Sequence, residues 1–288
     1  WRMVIDGAPG PEFDAIGEVV AHGERVAYAA SDAAGWHVVI DGAIGPAFVS
    51  LRAASLRFVR DGARSVYIGR NARGERAVLD GTLGPSFAQV GMLSVGAKGS
   101  LIAYVGWGAG DEGASVIVEH EARGRYDDIV ALELSASEPH WAALVEIDGA
   151  PAVVRDGTIV ARPTGAAQLC ISGDGAHLAW ITASDDSSEV WLDGRRLAAH
   201  LSVEGLRFVP RTAELVYVAH ETAGLHVVHG GVSGPLVDDV DALLTSTSGH
   251  WGYVARRRAG RLVVIDGELR FRGEWAGALS LAERSDRW

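Results

Sequence analysis

Ten histidines, one cysteine and several acidic pairs are the residues of this sequence whose chemistry could build a site. His140, His177 and His250 share one position of an internal repeat, three residues before a strand aromatic. Equivalent positions in successive repeats lie far apart, whereas zinc needs ligands that converge within about 2 Å of the ion. The three are therefore expected at a turn position tolerant of polar residues, because Arg25, Arg64 and Glu214 stand there in other repeats. His226 and His229 are three apart on a strand and so point to opposite faces. No metal site is expected.

Asp127-Asp128 and Asp238-Asp239 recur where Asp14 stands in the first repeat. Asp185-Asp186 and Asp111-Glu112 fall in loops. A calcium loop places ligands at alternate positions and closes on a glutamate, and neither loop has that pattern, so both read as solvated charge. The nucleophile elbow G-x-S-x-G is missing; Gly91-Met92-Leu93-Ser94-Val95-Gly96 has the wrong spacing. Lys98 is followed by Gly99 and belongs to no phosphate loop. No catalytic residue and no cofactor are expected.

The most distinctive segment is Gly106-Trp107-Gly108-Ala109-Gly110-Asp111-Glu112-Gly113, a long glycine-rich loop with one tryptophan. Binding residues concentrate on loops held by a rigid scaffold, and tryptophan is enriched at binding hot spots. Trp107, Asp111 and Glu112 are therefore candidate partner-binding residues. The corresponding loop of the last repeat carries Arg256-Arg257-Arg258, the second candidate set. Both loops are expected to open on one face. Trp36, Trp180, Trp191 and Trp251 sit in strands, where packing explains them without a ligand.

These loops must be positioned by the repeat itself. VIDG at 4–7 returns at 39–42 and 264–267, as VLDG at 78–81, VRDG at 154–157 and WLDG at 191–194; VEH at 118–120 and VHGG at 228–231 fill the gaps. The last residue falls at 7, 42, 81, 120, 157, 194, 231 and 267, a period of 35 to 39 residues. A second marker keeps the same phase: Tyr28, Tyr67, Tyr104, Ala143, Trp180, Tyr217 and Tyr253 each sit in a short apolar run.

The apolar run suits a strand covered on both faces. Asp-Gly suits the positive φ values of a two-residue hairpin turn. G-P-x-F follows at 10–13, 45–48 and 84–87, with Gly234-Pro235 later. Proline cannot donate to a ladder, which places Pro11, Pro46, Pro85 and Pro235 on an edge strand. Four antiparallel strands per repeat of this length mark a propeller blade. Such a sheet buries both faces only against neighbours.

The expected fold is thus all-β: a single β-propeller of four-stranded antiparallel blades spanning residues 1–288. The strand count, with an innermost strand expected over Ala278 to Ala282, favours eight blades over seven. On the eight-bladed reading the chain is cropped at one or both ends.

The pattern VIDG-x-x-GP-x-F, followed by a turn and an apolar-aromatic strand, resembles bacterial WD-repeat-like propellers of the TolB type over essentially the whole chain. Ile-Asp or Leu-Asp stands where WD repeats carry Trp-Asp. The resemblance implies a propeller used for binding, often in the bacterial envelope, with no active-site residues to transfer.

A net charge of −11 speaks against a nucleic-acid surface, which needs a concentrated basic stripe. Cys170 is alone, so an intrachain disulfide is impossible. No apolar stretch reaches the roughly 18 residues of a membrane span. Lys98 is the only lysine among 26 basic residues, a bias expected of a GC-rich bacterial genome; envelope and cytoplasm both remain open.

The expected function is a non-catalytic interaction scaffold for a protein, a peptide or a small ligand, using the loop face or central opening. The alternatives are a lactonase- or lyase-like propeller enzyme with a metal at the channel, and a fragment of a multidomain protein.

Overall fold

The computed structural model describes residues 1–258, 260–274 and 279–281. The chain is an all-β propeller of four-stranded antiparallel blades, and its described residues contain no α-helix. Seven blades span residues 15–44, 50–83, 89–126, 128–161, 166–200, 202–233 and 239–273, numbered 1 to 7 below. In blade 2 the first strand is broken into Ser50–Leu51 and Arg57–Val59, both paired with Arg64–Asn71. Arg2–Ile5 and Ala8–Glu12 form a further two-stranded sheet, making eight sheets, in keeping with eight blades. Of the strand expected over Ala278 to Ala282, both ends lie outside the described residues, and 279–281 carry no strand.

Local chemistry explains each hairpin. The turn between third and fourth strands has two consecutive positive-φ residues in every copy, as in Asp41 at 49° and Gly42 at 83°. That is the turn whose twist matches the flanking strands. In blade 3 Glu119 and His120 adopt it at 48° and 69° without a glycine. The fourth strand differs from expectation. Pro11 lies within a strand, but the ladder stops at Gly45-Pro46, Gly84-Pro85 and Gly234-Pro235 and resumes as single bridges, Trp36 to Phe48, Glu75 to Phe87 and Leu225 to Val237. The missing proline N–H interrupts even an edge strand.

The chain divides into two compact units, 1–129 and 130–288. In the first, the N-terminal sheet meets blade 1 through Phe13, Tyr28 and Val39. Blades 1 and 2 share Ala27, Val38, Tyr67 and Val78, and blades 2 and 3 share Ala77, Tyr104 and Ile117. In the second, Leu144 and Trp180 join blades 4 and 5, Ile181 and Tyr217 join 5 and 6, and Val227 and Tyr253 join 6 and 7. The core is therefore a series of slabs between sheets, as a repeat that cannot bury its own faces requires.

The glycines before proline serve those slabs. A Cβ at Gly10, Gly45 or Gly234 would come within 3.3, 3.0 or 3.3 Å of the hydroxyl of Tyr28, Tyr67 or Tyr253 in the next blade. Gly69 and Gly106 make room in the same way for the rings of Phe48 and Phe87.

Candidate functional site

The histidines at the shared repeat position are partners, not merely tolerated polar residues. His140, His177 and His250 each place Nδ1 2.7 Å from Oδ2 of Asp156, Asp193 and Asp266, the aspartates of their own Asp-Gly turns. Oδ1 of each aspartate accepts a backbone N–H, from Trp141, Leu178 and Trp251. In blades 1 and 2, Arg25 and Arg64 occupy the histidine place and donate Nε to Asp41 and Asp80 at 2.8 Å. Blade 6 reverses the polarity: Glu214 lies 3.0 Å from His229, and Gly230 takes the aspartate position. Sixteen residues separate the pair in all five clasps with an aspartate, a spacing visible in sequence but meaningless until the hairpins close. Among the described residues, no three His, Cys, Asp or Glu side chains gather to hold a metal.

Trp107 ends the strand Leu101–Trp107 and is half-buried, not presented freely. Its ring lies 2.9 Å from where a Gly91 Cβ would stand, and its Nε1 donates to Asp128 Oδ1 at 3.2 Å. The loop then makes a short 3-10 turn, Gly110–Glu112, closed by the Gly108 N–H donating to Gly113 O at 2.8 Å. Exposed Glu112 accepts from the Ala109 N–H at 3.3 Å. The Asp111 side chain lies outside the described residues. The loop walls a polar cavity of about 390 Å³ with Arg73, Ser86, Glu112 and Arg125 around it.

Arg256, Arg257 and Arg258 divide their roles. Arg256 pairs with Asp239 at 2.9 Å, and Arg258 donates its backbone N–H to Asp238 at 2.5 Å. Arg257 has no ion-pair partner among the described residues and borders a cavity of about 370 Å³ between blades 6 and 7. Trp251, Tyr253, Leu262 and Val264 form its apolar wall, all on the face of blade 7 that also carries Arg257. Val232 and Leu269, both more than half exposed, flank it, and Arg272, a second guanidinium without an ion pair among the described residues, completes it.

Two other cavities repeat this placement. Between blades 1 and 2, Val38, Ile40, Ile44 and Tyr67 line about 580 Å³. Between blades 4 and 5, Val160, Leu178 and Trp180 line about 290 Å³. Two of the three hold a buried polar atom with no hydrogen-bond partner among the described residues, Tyr67 Oη and Trp180 Nε1, while in the third His229 Nε2 lies 3.0 Å from Glu214 Oε2. An unmet buried donor costs about 1–3 kcal/mol, so the Tyr67 and Trp180 cavities each present a polar point within an apolar frame. Burial pushes the Tyr67 and Tyr253 hydroxyls up to about 12, which keeps both as neutral donors. Sequence reasoning singled out loops and missed these grooves. The only signal available was the substitution of His120 for the usual turn glycine.

No family model and no curated protein matches the chain. Several solved structures are similar in fold. A prolyl endopeptidase is 13% identical over 92% of this chain and 43% of its own, with a TM-score of 0.46. The β-propeller domain of the Trilobed protease from Pyrococcus furiosus is 11% identical over 90% of this chain and 95% of its own, at 0.40. TolB from Acinetobacter baumannii is 13% identical over 90% and 79%, at 0.43. The chain thus spans less than half the length of the prolyl endopeptidase.

Proposed function

We propose that this propeller is a non-catalytic binding module that captures a protein or peptide segment carrying an apolar side chain next to a carboxylate. The supporting observation is the groove between blades 6 and 7, where an apolar wall of Trp251, Tyr253, Leu262 and Val264 meets Arg257 and Arg272, neither engaged by a carboxylate among the described residues. Guanidinium groups bind carboxylates through paired, charge-assisted hydrogen bonds, and an apolar slot beside them supplies the anchor that dominates interface energies. Trp107, Asp111 and Glu112 are proposed as a separate partner contact on blade 3, and Arg256 and Arg258 as supports of the Arg257 segment.

Fluorescently labelled hexapeptides ending in phenylalanine, with either a free carboxylate or an amide, test the reading. Tighter binding of the carboxylate form is expected, with Arg257→Ala and Arg272→Ala each abolishing the difference. Equal binding of both peptides by the unaltered protein would overturn the proposal. Partner capture that survives both Trp107→Ala and replacement of Arg256, Arg257 and Arg258 by serine would remove those loops from it.

A further inference from the structure

The cavity between blades 1 and 2 has a filled counterpart one repeat later. Between blades 2 and 3, His120 occupies the turn position that Gly81 holds in blade 2. Its Nδ1 lies 3.2 Å from Tyr104 Oη, and its Nε2 lies 3.0 Å from Thr82 O. A neutral imidazole satisfies both at once, accepting from the tyrosine at Nδ1 and donating Nε2–H to the carbonyl. Burial lowers the His120 pKa, which agrees with that neutral form.

Between blades 1 and 2 the same frame stands without the imidazole. Tyr67, 1% exposed, takes the place of Tyr104, and its hydroxyl has no partner among the described residues. Ala43 takes the place of Thr82, and Gly45 the place of Gly84. Gly81 opens the space: a Cβ there would meet nothing within 4 Å. In the second unit the Tyr217 hydroxyl is likewise met by an imidazole, His200 Nε2 at 3.4 Å. Of the five tyrosines at this repeat position, Tyr104 and Tyr217 meet a histidine ring and Tyr28, Tyr67 and Tyr253 do not; among these three, Tyr67 is the one whose hydroxyl is fully buried with no partner among the described residues.

We propose that the cavity beneath Tyr67 is a binding site for an imidazole-class group, accepting a hydrogen bond from Tyr67 Oη and donating one to the carbonyl of Ala43. The group comes either as a free small heterocycle or as the histidine side chain of a partner peptide. This site is distinct from the Arg257 groove and stands or falls separately from it.

Imidazole and the tripeptide Gly-His-Gly are the probes, titrated at pH 8 with thermal shift and chemical-shift changes of the Tyr67 ring as readouts. The unaltered protein should show saturable binding. Tyr67→Phe removes a hydroxyl that nothing satisfies and so keeps the fold, yet should weaken binding about tenfold or more. Gly81→His, at a φ of 79° close to the 69° of His120, should fill the cavity and abolish the response. His120→Gly should open a second site and raise the number of imidazoles bound from one to two. Tighter binding of the tripeptide assigns a partner histidine, and tighter binding of imidazole assigns a free ligand. Absence of saturable binding by either probe, or undiminished binding in both Tyr67→Phe and Gly81→His, would overturn the proposal.

Discussion

Arg64 holds Glu119 by two hydrogen bonds of 2.9 and 2.8 Å across the boundary between blades 2 and 3, while its Nε keeps Asp80 of its own blade at 2.8 Å. Glu119 stands in the aspartate position of blade 3, where Leu101 has displaced the basic partner from the usual clasp. One guanidinium therefore serves two turns, and both carboxylates hold its pKa above the ordinary arginine value.

Removing Arg64 leaves two carboxylates without their cation, one of them already accepting the Ile102 N–H. The Arg64 side chain is 16% exposed and Glu119 34%, so solvent screens part of the interaction. Arg64→Ala is expected to cost about 1–2 kcal/mol in urea unfolding. Arg256→Ala, which breaks a pair exposed by about half on each side, should cost less than about 1 kcal/mol. Equal costs would count against this account of the shared clasp.

Gly69 faces the Phe48 ring with no room for a Cβ, whereas the equivalent pair in blades 6 and 7 is Val237 and Ala255. Overpacking typically costs about 1–3 kcal/mol, so Gly69→Ala should fall in that range. Coupled with Phe48→Val it should recover part of the loss, a combined cost smaller than the sum of the two single costs in a double-mutant cycle. Additive losses would show that the ring and the glycine are independent.

His120 links stability to acid. Its folded pKa lies below the ordinary 6.5 because burial penalises the charged ring. Between those two values the unfolded chain binds more protons than the folded one, so stability rises with pH through that window and falls on acidification. The stability lost on His120→Asn, compared by urea unfolding at pH 7.5 and pH 5, should therefore be smaller at pH 5. A loss that grows toward acid would reverse the assignment.

Burial pushes the Cys170 thiol up to about 12, reinforced by the charge of Glu133. Thiolate is the reactive form, so an aromatic disulfide reagent at pH 8 should label Cys170 only as fast as the protein opens. Labelling should accelerate with urea in step with unfolding. Rapid second-order labelling without denaturant would contradict the buried position.

Much of the architecture was legible because its causes are local. A two-residue turn with positive φ needs Asp-Gly or an equivalent whatever surrounds it, and its recurrence at 35 to 39 residues marked the blades before any sheet was seen. The proline positions were legible for the same reason, although the depth of their disruption at Pro46, Pro85 and Pro235 was not.

The amino-acid sequence by itself determined the blades, since hairpin chemistry and strand alternation act within one repeat. Only the tertiary structure decided which side chains meet across two repeats. Trp107 reads as a bare loop aromatic until it lies over Gly91 and binds Asp128. Tyr67 and Tyr104 are identical in repeat position, yet one hydroxyl is satisfied and the other is not. The physical reason is that a buried donor's fate depends on what stands between two sheets, where a single exchange of glycine for histidine at the turn, 14 residues past Tyr67 but 16 past Tyr104, leaves the space open or fills it.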